Sequence, residues 1–173
     1  MKRTLSILVE NQFGVLARVA GLFSRRGFNI ESLSVAPTED PTLSRITLVT
    51  VADERELEQL TKQLHKLVDV VKISDVTNED RIERELALIK VAAQASNRQE
   101  ILQVVDIFRA RVVDVSEGSV VVEVTGDEAK VDAMVQLLRP YGIREMVRTG
   151  KVAMVRGSRT AALPSRQRAE RAG

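Results

Sequence analysis

Apolar positions along the chain follow two spacings, one typical of strands and one typical of helices. In the first half, short apolar runs predict four strands, at about residues 3–9, 28–36, 44–51 and 70–76. Between them, apolar residues recur every three or four positions, which predicts one helix over about 14–25 and another carrying Leu57, Leu60, Leu64 and Leu67. The predicted order is βαββαβ.

The same order recurs in the second half. Strands are predicted over 86–92, 112–115, 120–124 and 143–147, with a further strand at 151–155. Two helices lie between them, with inward faces at Ile101, Val104, Val105 and Phe108 and at Val131, Met134, Val135 and Leu138.

Helix starts are marked by acidic and hydroxyl side chains. Asp53 and Glu56 have the spacing of a capping box, as do Ser96 and Gln99. Asp127 is placed to begin the last helix, and Gly27 to end the first in a left-handed conformation.

This order predicts the fold class. A βαββαβ unit with right-handed crossovers folds as a four-stranded antiparallel sheet with two helices on one face, the ferredoxin-like arrangement. The sequence therefore predicts an α+β protein with two ferredoxin-like βαββαβ domains in tandem, at residues 1–77 and 86–156. The charge-dense segment 78–85 is interpreted as a linker, and 157–173 as a disordered, arginine-containing tail.

Composition narrows the function classes. The chain is 44% hydrophobic and 29% charged, as is usual for a globular protein, and it contains no cysteine. Its net charge of +2 is concentrated in residues 157–173, where four arginines and one glutamate give +3, so the other 156 residues carry −1. No strong basic excess in the body of the chain points to nucleic acid or a membrane surface. No apolar run is long enough to predict a transmembrane helix.

The turn after the first strand is a candidate binding site. Asn11 and Gly14 lie between an apolar strand and an amphipathic helix. Backbone N–H groups at such a helix start favour an anion, and a glycine leaves the backbone accessible. A small zwitterion fits these groups, but a helix cap at Asn11 and a turn glycine at Gly14 account for the same pattern.

The sequence offers few catalytic candidates. His65 is the single histidine and lies off the apolar stripe of its helix, which favours a surface position. The acidic clusters at 53–58 and 78–80 fit a helix start and a polar segment, and neither has a familiar metal-ligand spacing. The third predicted strand has no aromatic residue for stacking RNA bases.

Several stretches resemble a known family. Residues 5–19 (LSILVENQFGVLARV) and 23–33 (FSRRGFNIESL), within the βαββαβ order, resemble the ACT domain. Together with 66–73 (KLVDVVKI) and 84–91 (RELALIKV), they are similar more narrowly to the regulatory (small) subunit of acetolactate synthase, also called acetohydroxyacid synthase. The resemblance covers about residues 2–156.

The resemblance implies a function without catalysis by this chain. Family members bind a catalytic large subunit that carries thiamine diphosphate, Mg²⁺ and FAD, raise its activity and make it sensitive to valine. No cofactor or metal is then expected here, the location is cytoplasmic (or the plastid stroma in a photosynthetic eukaryote), and the ACT domain forms a homodimer. The alternative is a stand-alone ACT amino-acid sensor that regulates another enzyme or a transcription factor.

The resemblance also implies a valine site between two chains. Asn11, Gly14, Val15 and Leu16 would come from one chain, and Asn29 and Ile30 from the other. The expected apolar wall around the ligand consists of Val15, Leu16, Ile30 and Val35.

Overall fold

A computed structural model describes residues 1–158 of the 173-residue chain. The expected tail from Arg159 onward lies outside the described residues. By its internal contacts the chain divides into two compact units. Among the described residues, the first consists of Met1–Ile82 together with 151–158, and the second is Glu83–Gly150.

The first unit has the predicted ferredoxin-like topology. Its elements are β1 (Lys2–Glu10), α1 (Val15–Arg25), β2 (Ile30–Pro37), β3 (Leu43–Val51), α2 (Glu54–Leu64) and β4 (Val70–Asp75). The sheet has the order β2-β3-β1-β4, and the pairings of β1 with β3 and β4 and of β2 with β3 are antiparallel.

The core of this unit lies between the sheet and its two helices. Alternate β1 residues Leu5, Ile7 and Val9 are buried in one cluster with α1 and α2 side chains, as period-two alternation predicts. Full burial of each such side chain contributes about 1.5–3 kcal/mol. α2 ends at Leu64, so Leu67, which the apolar spacing predicts on this helix, follows its end, although it still packs against this core.

Two predicted helix boundaries in this unit are confirmed. The Asp53 side chain accepts a hydrogen bond from Glu56 N–H, and the Glu56 side chain accepts one from Asp53 N–H, each at 2.8 Å. Gly27 follows α1 with φ = 73°, the left-handed conformation that a helix-ending glycine adopts.

The second unit repeats the topology. Its elements are β5 (Arg81–Ala92), α3 (Arg98–Ile107), β6 (Arg111–Val115), β7 (Ser119–Gly126), α4 (Glu128–Leu138), a 3₁₀ turn at Arg139–Tyr141 and β8 (Ile143–Arg148), and its sheet has the order β6-β7-β5-β8. The first two residues of β5, Arg81 and Ile82, belong to the first unit, as does a further strand, β9 (Val152–Val155), which pairs with β5. Two α+β units of one topology confirm the predicted fold class.

Three local predictions for the second half differ from the structure. β5 begins at Arg81, so most of the segment interpreted as a linker is strand. Asn97, rather than Ser96, precedes α3; its Oδ1 accepts from Gln94 N–H, and no side chain caps the helix. Phe108 lies just beyond the end of α3, but it packs against the core as predicted.

A charged network links β5, β8 and α4 in the second unit. Arg148 donates from Nε to Glu85 at 3.0 Å and from Nη1 to Asp132 at 2.6 Å, and its Nη2 also donates to Glu85. The hydrogen bonds with Glu85 raise the pKa of Arg148 above its ordinary value. Because that pKa is raised, the stabilisation is fully present at every pH below the ordinary pKa of an arginine side chain, hence throughout the neutral range.

Candidate functional site

The turn between β1 and α1 carries the first group of predicted site residues. β1 ends at Glu10, and α1 begins at Val15 with Gly14 as its N-cap. Gly14 has φ = 79°, in the left-handed region that glycine adopts without strain. The backbone can therefore reverse direction here while remaining partly exposed.

The start of α1 leaves backbone donors available. No side chain caps this helix, whereas α2 and α4 each have an aspartate cap. The first helical hydrogen bond runs from Arg18 N–H to Gly14 O at 3.0 Å. The N–H groups of Leu16 and Ala17 come before it and have no acceptor within the helix. With the positive end of the helix dipole, they form an arrangement suited to a carboxylate.

Asn11 does not cap the helix, so this interpretation of the sequence is wrong. The exposed Asn11 side chain donates from Nδ2 to Pro41 O at 3.0 Å, and its backbone N–H donates to Thr42 O at 2.7 Å. Both bonds fix Asn11 to the loop between β2 and β3. Among residues 1–158, no donor is bonded to its amide oxygen, which is an acceptor beside the turn.

The apolar residues expected around the ligand differ in accessibility. Val15 is 3% exposed, and its side chain packs in the core of the unit. Leu16 is 38% exposed and Val35 is 41% exposed. These two side chains therefore supply accessible apolar surface, as does Phe13 in the turn itself, which is fully exposed.

Asn29 and Ile30 lie at the opposite end of the same sheet. In the strand register, Ile30 is opposite Thr50, and Thr50 is opposite Arg3 near the start of β1. Glu10 is opposite Leu43, seven residues away along β3, which corresponds to roughly 20–25 Å. One chain alone therefore does not bring Asn29 and Ile30 to the turn that contains Gly14.

A buried hydroxyl fixes the beginning of β2. Thr50 is fully buried, and its Oγ1 donates to Asn29 O at 2.7 Å. The pairing of β2 with β3 shifts register between Ile30 and Ser32, directly after this contact. Because the ladder is irregular there, the side-chain hydrogen bond helps to hold Asn29 in place.

An ion pair that the sequence does not predict lies beside the turn. Arg18 on α1 donates from Nε to Asp69 Oδ2 at 2.8 Å, and its Nη2 lies 2.7 Å from the same oxygen. Asp69 is in the loop between α2 and β4, and its backbone oxygen accepts from Glu10 N–H at 2.8 Å. An arginine four residues after a turn glycine does not by itself predict an ion pair, and Asp69 is distant in the chain.

Other titratable groups lie outside this turn. His65, which follows α2, is exposed, as the sequence predicts. Burial lowers the pKa of Arg45, which lies on β3 and donates to Ser6 Oγ at 2.9 Å.

Within residues 1–158, no group of three or more acidic or histidine side chains is arranged to hold a metal ion. No helix in this described part is long and apolar enough to cross a membrane.

Two family models match the chain. Residues 5–72 match the model described as the AHAS small subunit-like ACT domain, and residues 84–157 match the small subunit of acetolactate synthase. The probable acetolactate synthase small subunit of Archaeoglobus fulgidus is 58% identical, over 92% of this chain and 99% of its own. The acetolactate synthase small subunit of Bacillus subtilis is 52% identical, over 91% and 92%.

A solved structure agrees with these matches. The crystal structure of the acetolactate synthase small subunit from Thermotoga maritima superposes with a TM-score of 0.85 and 44% identity. The match covers 92% of this chain and 99% of that one. The N-terminal ACT domain, the repeated α+β topology and relatives more than 50% identical over about nine-tenths of the chain lead to one conclusion: the chain belongs to the family of regulatory small subunits of acetolactate synthase.

Proposed function

We propose that the chain binds valine between the ACT domains of two copies and thereby makes an acetolactate synthase catalytic subunit sensitive to valine. The observation that supports this most directly is the uncapped start of α1, with free N–H groups beside Gly14 and an amide oxygen at Asn11. These groups complement the two charged ends of an amino acid.

The carboxylate of valine is assigned to the start of α1. The N–H groups of Leu16 and Ala17 donate to it, and Gly14 leaves room for its approach. Hydrogen bonds to a charged group contribute about 1.5–3 kcal/mol each. The helix dipole adds about 0.3–1 kcal/mol.

The ammonium and the isopropyl group are assigned to the remaining side chains. Amide oxygens of Asn11 and of the partner's Asn29 accept from the ammonium. Leu16, Val35 and the partner's Ile30 enclose the isopropyl group, whose burial contributes about 1.5–3 kcal/mol. The sum, less the cost of immobilising the ligand, corresponds to roughly micromolar affinity.

The edge position of β2 supports a site between two copies. In the order β2-β3-β1-β4, β2 has a neighbouring strand on one side only. Antiparallel pairing of two β2 strands about a two-fold axis brings opposite ends of the two sheets together. Asn29 and Ile30 of one copy then approach Asn11 and Gly14 of the other, which the single chain cannot achieve.

The second part of the proposal concerns the partner. The chain associates with a catalytic subunit that carries thiamine diphosphate, Mg²⁺ and FAD, and it raises the activity of that subunit. In this proposal the ACT domain spans 1–77 and the second domain 86–156, and the cytoplasmic location stays a prediction. A stand-alone amino-acid sensor is less well supported, because the family match continues over residues 84–157.

Calorimetric titration of the full chain with valine tests the binding proposal. We expect saturable binding, with a stoichiometry of one valine per chain or one per dimer. Threonine is expected to bind more weakly than valine. Leucine and isoleucine are expected to bind within about 10- to 200-fold of valine, because one methylene discriminates only to that extent. Absence of binding to the chain both alone and in complex with its catalytic subunit would contradict the proposal.

Replacing Thr50 with valine is expected to weaken valine binding about 3- to 10-fold. The variant keeps the side-chain volume but loses the hydrogen bond to Asn29 O, worth about 1 kcal/mol. Thr47→Val is the matched control, since Thr47 lies on the same strand and is 3% exposed, and its hydroxyl forms no hydrogen bond with another described residue. Calorimetry on both variants measures the effect, and equal losses would argue against a specific role for Thr50.

A further inference from the structure

The ion pair of Arg18 with Asp69 is placed at the turn of the proposed site. Arg18 lies four residues after Gly14, so its side chain leans back toward the start of α1. Its Nη1 lies 3.2 Å from the position that a Cβ on Gly14 would occupy. The guanidinium is thus directly beside the backbone that the proposal assigns to the carboxylate.

The guanidinium is held in one orientation and keeps the N–H groups of Nη1 available. Nε and Nη2 both contact Asp69 Oδ2, and Asp69 is anchored to the end of β1 through the bond from Glu10 N–H. The Asp69 side chain is 14% exposed, whereas the Arg18 side chain is 47% exposed. Nη1 has no hydrogen-bond acceptor among residues 1–158.

We propose that Arg18 binds the carboxylate of the amino-acid effector through Nη1, and that Asp69 positions it. This inference rests on the proposed function and adds a binding residue to the same site. A guanidinium offers donors in a rigid plane that matches a carboxylate. Because Asp69 already fixes that plane, little side-chain freedom is lost when the ligand binds.

The pair of Arg18 and Asp69 also favours a ligand without net charge. Arg18 and Asp69 together carry no net charge, so a zwitterion leaves the cluster balanced. A divalent anion such as phosphate would meet the Asp69 carboxylate without an ammonium to compensate for it. The arrangement therefore favours a free amino acid over a phosphorylated metabolite.

Calorimetry with two ligands tests the contact. Arg18→Met is expected to lower the affinity for valine about 10- to 100-fold, the loss of one charge-assisted hydrogen bond. Its affinity for valinamide, which lacks the carboxylate, is expected to equal that of the unmodified chain. Arg55→Met is the matched control, because Arg55 is an exposed arginine on α2 and its replacement removes the same charge.

A double-mutant cycle tests the role of Asp69 without a second ligand. Asp69→Asn is expected to lower valine affinity less than Arg18→Met, and to have no further effect in the Arg18→Met background. Arg18→Lys keeps the positive charge but loses the planar, forked arrangement of donors. Its valine affinity is expected to lie between those of Arg18→Met and the unmodified chain. Melting temperatures of all variants show whether the fold is retained, and Arg18→Lys decides the outcome if Arg18→Met does not fold.

The outcomes separate this inference from the function on which it rests. If the unmodified chain does not bind valine, alone or with its catalytic subunit, the proposed function and this inference both fail. If it binds valine and Arg18→Met binds equally well, only the assignment of Arg18 fails. Additive effects in the cycle would overturn the positioning role of Asp69. An equal loss for valine and valinamide would overturn the carboxylate contact and leave Arg18 a structural role.

Discussion

Replacing Gly14 with aspartate is expected to abolish valine binding while the ACT domain remains folded. The new carboxylate would lie at the start of α1, where its charge is favourable and where the carboxylate of the effector is proposed to bind. A Cβ at this position lies 3.2 Å from Nη1 of Arg18, so the new side chain would also occupy that donor. This intramolecular carboxylate therefore competes with the carboxylate of valine for the same donors.

The backbone tolerates this change at modest cost. Gly14 has φ = 79°, and aspartate and asparagine enter the left-handed region more readily than other side chains do. We expect a loss of about 1 kcal/mol in the free energy of unfolding, against a decrease of more than about 100-fold in valine affinity. Titration calorimetry and urea unfolding of the same preparation measure the two quantities.

The variant Gly14→Asn separates the effect of the negative charge from the effect of the added side-chain volume. It introduces the same number of side-chain heavy atoms and the same backbone strain, but no negative charge. We expect the aspartate variant to bind valine at least 10-fold more weakly than the asparagine variant, because only the former repels the ligand carboxylate. Valine binding by Gly14→Asp with the affinity of the unmodified chain would remove the turn from the site.

Most of the fold follows from local sequence patterns, because each element carries its own signal. Leu57, Leu60 and Leu64 recur at helical spacing, and the structure buries all three on one helix face. β5 shows where this reasoning fails. Its first five residues, Arg81–Glu85, include a single apolar residue, so local composition gives no strand signal, while pairing with β9 is a contact distant in sequence.

The local geometry around the candidate site is only partly predictable from the sequence, for a related reason. The turn at Asn11 and Gly14 is local, and the structure forms it as an accessible helix start. The burial of Val15 depends on how α1 faces the sheet, which the residues next to a turn do not reveal. Arg18 meets Asp69 across 51 positions, and no local pattern predicts such a contact.

Phe23 links the core of the first unit to the segment before Asn29, which the proposal assigns to the valine site. It is fully buried, and its ring packs edge-on against Phe28 with centroids 6.5 Å apart at an angle of 73°. Phe28 N–H donates to Phe23 O at 3.0 Å, and Asn29 follows immediately. Phe23 therefore stabilises both the core and the segment that leads to Asn29.

Phe23→Ala is accordingly expected to lower the free energy of unfolding of the first unit by about 3–5 kcal/mol. Domains of this size are stable by about 5–15 kcal/mol in total, so the urea midpoint should fall steeply. Valine affinity should also decrease, because the variant loosens the segment before Asn29. Met134→Ala is the matched control: Met134 is fully buried in the second unit, and we expect a loss of about 2–5 kcal/mol without a change in valine affinity.

Valine binding is expected to stabilise the Phe23→Ala variant. Valine at 100 times its dissociation constant for the variant should restore about 2.7 kcal/mol to the first unit of Phe23→Ala. The same addition should restore nothing when Gly14→Asp is also present, because that change removes the site and leaves the core as it was. Recovery in the double variant would mean that valine binds elsewhere, and failure of valine to stabilise Phe23→Ala alone would mean that Phe23 is required to form the site.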